Sequence, residues 1–98
     1  MDFIFELKDK TNRRIYLPRK TWSHIMRKHP YLSGYVEEIK ETVQKPDKVI
    51  HSLADRNVRY YYKYYKQKNK PHEYLLVVVK YLNNSGFIIT AYFVSSIK

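Results

Sequence analysis

From residue 48 onward the chain reads as four strand-forming runs, 48–53, 58–65, 73–81 and 86–94, dense in Val, Ile, Tyr and Phe. Four to seven residues separate them, whereas a parallel crossover needs about a dozen or more. Successive runs are therefore antiparallel neighbours. DRN at 55–57, QKNKPH at 67–72 and NNSG at 83–86 supply the turn chemistry. Ahead of them, 2–8 and 13–17 alternate, with Phe3, Phe5 and Leu7 and then Ile15 and Leu17 on one parity, which predicts a short hairpin turning at 9–12. Pro18 opens a helix over 18–29 whose stripe is Trp22, Ile25, Met26 and His29, and Pro30 stops it. Ser33 caps a second helix with Tyr35, Val36, Ile39 and Val43 on its apolar side, closed by Pro46. Ninety-eight residues support one core. The expected architecture is α+β in a single domain over 1–98. An N-terminal hairpin (1–17) and two helices (18–45) precede a four-stranded antiparallel meander (47–98), with the helices packed on one sheet face. The other face is left as a working surface.

Charge is sorted along this frame. Residues 10–28 carry Lys10, Arg13, Arg14, Arg19, Lys20, Arg27 and Lys28 and no acid; 56–80 carry Arg56, Arg59, Lys63, Lys66, Lys68, Lys70 and Lys80 against Glu73 alone; 33–55 is net acidic. Two basic blocks in a chain of net charge +10 fit one anion-binding surface, with nucleic acid as the leading partner. A generally basic, solvated exterior is the plainer account of the same distribution. The lack of cysteine removes disulfides, thiolate nucleophiles and Cys-ligated metals, and it fits a reducing compartment. The longest apolar run, 74–79, falls far short of the roughly 20 residues a spanning helix needs. Asp2 and Glu6 stand where a signal peptide would be basic. A cytoplasmic protein with no membrane association is expected.

Strand parity then nominates side chains. In the last run Phe87, Ile89, Ala91 and Phe93 form the cleaner core set, which turns Thr90 and Tyr92 side by side onto the opposite face, where two hydroxyls can donate to phosphate oxygens. In 58–65, Arg59, Tyr61, Lys63 and Tyr65 alternate cation and phenol on one parity. Cations hold phosphates while rings stack on unpaired bases, at about 1–3 kcal/mol per base. Cross-strand aromatic packing with charges snorkelling outward accounts for the same pattern. On the first helix His29 lies on the apolar stripe. His24 lies away from it beside Thr21 and Lys28, where a substrate-facing imidazole and a plain exposed histidine fit equally. His51 and His72 fall in a strand and a turn.

Several chemistries lack their parts. With two glycines there is no G-x-G-x-x-G, Walker loop or G-x-S-x-G, and no HxH, HxxxH or HExxH spacing stands beside carboxylates, so no metal or other cofactor is expected. What remains is His, Arg, Lys, Tyr and Thr. That inventory suits metal-free phosphodiester cleavage, in which His moves a proton and a cation stabilises charge developing on phosphorus. RNA brings its own nucleophile, the 2′-hydroxyl.

The strings WSHIMRKHP (22–30), PDKVI (46–50), RYYYK (59–63), LLVVVK (75–80) and GFIITAYF (86–93) occur in this order. Over roughly residues 20–97 the chain resembles the phage and bacterial nuclease domains of the barnase, EndoU, colicin and RelE type. W-x-H-I-x-x-x-H-P and I-I-T-A-Y are the most specific pieces. The resemblance implies helices packed on an antiparallel sheet and a metal-independent ribonuclease that leaves a 2′,3′-cyclic phosphate. It places His24 and His29 as acid-base or positioning groups, Thr90 and Tyr92 at the scissile phosphate, and Arg59 at the basic position after the first meander turn. Arg56, Tyr61, Lys63, Lys66 and Lys80 are then expected to hold flanking nucleotides of single-stranded or looped RNA. Relatives of this kind are often toxins, so an acidic antitoxin or immunity protein is an implied partner. Where the family usually follows its HP with an acid, this chain has Tyr31. A non-catalytic RNA-binding module and a ribosome-dependent mRNA cleaver are the alternatives to a free-standing toxin or phage-related endoribonuclease.

Overall fold

The structure, a computed structural model, describes residues 3–65 and 73–97. The strands are β1 (Phe3–Lys8), β2 (Arg14–Pro18), β3 (Lys48–His51), β4 (Val58–Tyr64), β5 (Tyr74–Leu82) and β6 (Ser85–Val94). The helices are α1 (Arg19–Lys28) and α2 (Val36–Gln44), joined by one 3-10 turn, Pro30–Gly34. Pro18 caps α1 from an extended conformation rather than serving as its first helical residue, and Ser33 lies in the 3-10 turn while Tyr35 occupies the cap position of α2. Thr42, fully buried in α2, satisfies its hydroxyl by donating to the Glu38 carbonyl.

The sheet corrects the expectation of a four-stranded antiparallel meander. It has six strands in the order β1-β2-β6-β5-β4-β3 and is mixed, because β2 runs parallel to β6. The meander β3 to β6 is present and antiparallel throughout, but the N-terminal hairpin extends it instead of standing apart. The physical reason is an open edge. An unpaired β6 would expose a row of backbone donors and acceptors, and β2 covers the first part of it through Arg14–Ser85, Ile15–Gly86 and Tyr16–Phe87. The same pairing carries Ile15 and Leu17 into the main core, both fully buried.

Helices α1 and α2 cover one face. Under them Ile25, Leu32, Ile39 and Val43 meet Leu75, Val77, Val79, Ile88 and Ala91, all fully buried. A smaller cluster of Val58, Tyr62, Leu76 and Val78 occupies the other face. The central strand β5 is thus apolar on both sides, which explains the uninterrupted burial of Leu75 to Val79.

Strand β6 changes parity midway. Val78 pairs with Thr90 but Val79 pairs with Ile88, so Ile89 is an extra residue in a β-bulge. Ile88 therefore takes the core position expected of Ile89, which is 36% exposed. Beyond the bulge Ala91 and Phe93 face the helices, and Thr90 and Tyr92 lie on the uncovered side. Gly86 is required where β2 crosses closest: a Cβ there would lie 2.9 Å from Tyr81 Cδ1, 3.0 Å from Ile15 Cδ1 and 3.1 Å from the Lys80 carbonyl oxygen. Gly86→Ala is expected to destabilise the fold by about 1–3 kcal/mol through overpacking, measured as a lower urea midpoint at unchanged slope.

Candidate functional site

Pairing with β2 ends at Phe87, so the second half of β6 is a free edge, and the end of α1 turns onto it. His29 closes α1, its backbone N–H donating to the Ile25 carbonyl at 2.6 Å. Its ring stacks on Tyr92, with centroids 5.2 Å apart and planes inclined by 22°. Tyr31 meets the same imidazole edge-on at 5.9 Å. The Phe93 backbone N–H donates to the Tyr31 hydroxyl at 3.3 Å. Tyr31 thus covers a donor on the β6 edge.

Tyr92 also lines a groove of about 780 Å³ on the uncovered sheet face. Tyr62 and Leu76, 4% and 6% exposed, form its floor, with Ile50, Tyr60 and Val94 around them. Among the described residues, no acidic side chain lines it. A second depression, about 300 Å³, runs along α2, but Glu37, Glu38 and Glu41 give it the wrong sign for an anion.

The structure brings His29 and Tyr92 into contact and puts Thr90, half-buried, two positions along the same strand face. It does not bring the other nominated residues to this point. His24 is exposed on α1, five residues before His29 and so about 140° around the helix. Arg59 lies on the helix-facing parity, paired with Val79, with a guanidinium N–H donating to the Arg56 carbonyl at 2.9 Å. Arg56 itself is exposed in the β3–β4 loop. Lys63 donates to the Lys45 carbonyl at 2.9 Å, and Lys80, on the groove-side parity of β5 opposite Val58, pairs with Asp55 at 3.1 Å. Lys66 lies outside the described residues.

Tyr61 requires a correction: it is 7% exposed in the helix-side core and is no contact for RNA. The parity of β4 is the reverse of that expected because cations near strand ends reach past the sheet to carbonyls and solvent. Tyr60 and Tyr62, which strand composition did not distinguish from Tyr61, face the groove instead. Their signal was the pairing with Val78 and Leu76.

Tyr61 belongs to a second polar cluster that the sequence did not reveal. Its hydroxyl hydrogen-bonds that of Tyr81, which donates to Asp9 Oδ2 at 2.8 Å. Asp9 Oδ1 accepts from the Thr11 N–H, the Thr11 hydroxyl and the Arg13 N–H at 2.8, 2.7 and 2.9 Å. The Arg13 guanidinium lies 3.8 Å from the Tyr81 ring centroid, and that of Arg59 lies 5.3 Å away. Burial raises the Asp9 pKa, but these hydrogen bonds outweigh it and hold the carboxyl below its ordinary value. Burial, with the bonds to Tyr61 and Asp9, pushes the Tyr81 phenol far up. The cluster pins the hairpin turn to β4 and β5.

Among the described residues, no three His, Cys, Asp or Glu side chains gather as metal ligands, and no helix is long and apolar enough to cross a membrane. A basic α+β domain with a histidine stacked beside a tyrosine-lined groove has the build of a protein that acts on nucleic acid. The family model described as phage-Barnase-EndoU-ColicinE5/D-RelE like nuclease2 matches residues 5–96, and the chain belongs to that family of nucleases. No curated protein and no solved structure matches it.

Proposed function

We propose that this nuclease is a metal-independent endoribonuclease in which the substrate's 2′-oxygen attacks the adjacent phosphorus. The O2′–P bond forms, the P–O5′ bond breaks, and the products carry a 2′,3′-cyclic phosphate and a 5′-hydroxyl. His29 takes the 2′ proton and a water molecule protonates the leaving 5′ oxygen, while Thr90 and Tyr92 donate to the non-bridging oxygens. Lys80 and Arg56 hold flanking phosphates. The observation that carries this reading is the His29 ring stacked on a tyrosine that also lines the groove, in a nuclease-family chain of net charge +10. The same positive surface suits an acidic antitoxin or immunity protein, as expected of a toxin or phage-related effector. His24 and Arg59 are assigned no contact with the phosphate.

The test uses end-labelled tRNA and mRNA in EDTA, with the new ends examined for cyclic phosphate. Cleavage with cyclic ends is expected. Two imidazoles border the groove, His29 through its stack on Tyr92 and the exposed His51 of β3 in the lining itself. If RNA binds with a steep salt dependence, about −0.7 in logarithmic slope per neutralised phosphate for single strands, yet stays intact, the enzyme reading fails for naked RNA. Intact RNA in the presence of translating ribosomes as well leaves a binding module.

A further inference from the structure

We infer that the groove beside Tyr92 is a nucleobase subsite, which takes one or two unpaired bases flanking the cleaved phosphate and so restricts the substrate to single-stranded RNA. The inference rests on the ribonuclease reading and deepens it. A volume of about 780 Å³ falls in the range of pockets that enclose small ligands, roughly 300–1,000 Å³. It is too large to be a packing defect and open enough to admit a flat ring.

Its chemistry is that of a base rather than of an apolar peptide. Three phenols, Tyr60, Tyr62 and Tyr92, contribute to the lining, and Ser52, Ser95 and Ser96 add hydroxyls that can meet base edges. Every base has a π-face, so such a platform binds without a strong sequence preference. Charge agrees. Lys48 is exposed on the groove-side parity opposite Tyr62 and Arg56 is exposed in the loop that follows the Ser52–Ala54 wall, while Lys80 on that parity of β5 is paired with Asp55. Aromatic floor and cationic surroundings together fit a polyanion with unstacked rings. Leu53, fully exposed on the same wall, adds apolar surface where a second base would lie.

Geometry links the groove to the reacting phosphate. Tyr92 has its ring against His29 and also faces the groove. A nucleotide whose base enters there has its phosphate beside His29 and Thr90. In a duplex the bases are stacked inward and unavailable to such a groove.

The experiment measures binding apart from cleavage, using 2′-O-methyl octanucleotides that lack the nucleophile. Wild type, Tyr60→Ala and Tyr60→Phe are compared on a base-bearing strand, an abasic strand of equal length and a duplex. Tyr60→Ala is expected to weaken binding of the base-bearing strand by about 5- to 150-fold, the loss of one base stack. Its affinity for the abasic strand stays unchanged, and Tyr60→Phe, which keeps the ring, restores binding. A duplex is expected to bind no better than the abasic strand. Wild type that binds base-bearing and abasic strands equally overturns the inference, as does a Tyr60→Ala loss of the same size on both. The two readings fail separately. Intact naked RNA with Tyr60-dependent base binding removes the proposed cleavage of naked RNA and keeps the base-binding groove, whereas cleavage with no Tyr60 effect does the reverse.

Discussion

His29→Ala is expected to lower kcat/KM for RNA by about 10²–10⁴-fold, the usual contribution of a positioned acid or base. The fold should survive. His29 is half-buried, and its side-chain contacts include the two rings of Tyr31 and Tyr92, so the stability lost is that of an aromatic contact, about 0.5–1.5 kcal/mol. Tyr92 separates two roles in the same experiment. Tyr92→Phe keeps the stack and removes the hydroxyl, so its loss reports donation to phosphate; Tyr92→Ala also removes the surface that holds the imidazole and lines the groove. The alanine variant is expected to be the weaker enzyme. Full activity in His29→Ala would exclude proton transfer by this residue, and a larger loss in His24→Ala would move the chemistry to the other side of α1.

Asp9→Ala is expected to damage the fold by about 3–5 kcal/mol, through loss of the four hydrogen bonds its carboxylate accepts, of which those to a charged group contribute about 1.5–3 kcal/mol each. The Asp9 side chain is 3% exposed. Removing it takes the acceptor from the buried Tyr81 hydroxyl and from the part-buried Thr11 and Arg13 N–H groups, and the ion-pair partner from Arg13. For a domain of this size the melting temperature should fall by more than about 10 °C. Asp9→Asn keeps an acceptor and should lose less. The pH dependence has a definite sign. The folded Asp9 pKa lies below the ordinary 3.8, so its stabilisation is complete above that value and is lost as pH falls through the folded one. Tyr61 and Tyr81 have raised pKa values, so their contribution is complete below the ordinary 10.0 and is lost as pH rises through the folded values. Urea midpoints across pH should therefore drop at both ends. Asp9→Asn should flatten the acid limb, and an acid limb unchanged in that variant would assign it to other carboxylates.

Much of the candidate site was legible in the linear chain, for identifiable reasons. Pro18 and Pro30 bracket α1, and the spacing of Trp22, Ile25, Met26 and His29 put the last of these at the core boundary. The alternation near the end of β6 put Thr90 and Tyr92 on the uncovered face. Strand β4 was not legible. Tyrosines occupy both its parities, so hydrophobic alternation is silent, and its two internal cations suggested a solvent face that the helices cover. The inward turn of Tyr61 follows from its register with Val77, itself fixed by pairing across β5. The bulge at Ile89 was equally hidden, because one extra residue changes parity without changing composition.

By itself the sequence determined the strands, the helices and the turns near 9–12, 55–57 and 83–86, the charge that favours a polyanion and the motifs that resemble the nuclease family, while the turn expected at 67–72 lies outside the described residues. All of these are properties of neighbours along the chain, set by periodicity, backbone preference and residue type. Only the tertiary structure decided that β2 joins β6 in parallel, that Tyr60 and Tyr62 rather than Tyr61 face the groove, that Asp9 is buried against Tyr81, and that His29 rather than His24 meets Tyr92. Those outcomes depend on pairing segments far apart in sequence. Backbone hydrogen bonding and burial are satisfied by the whole arrangement at once, so no local window of residues contains the answer.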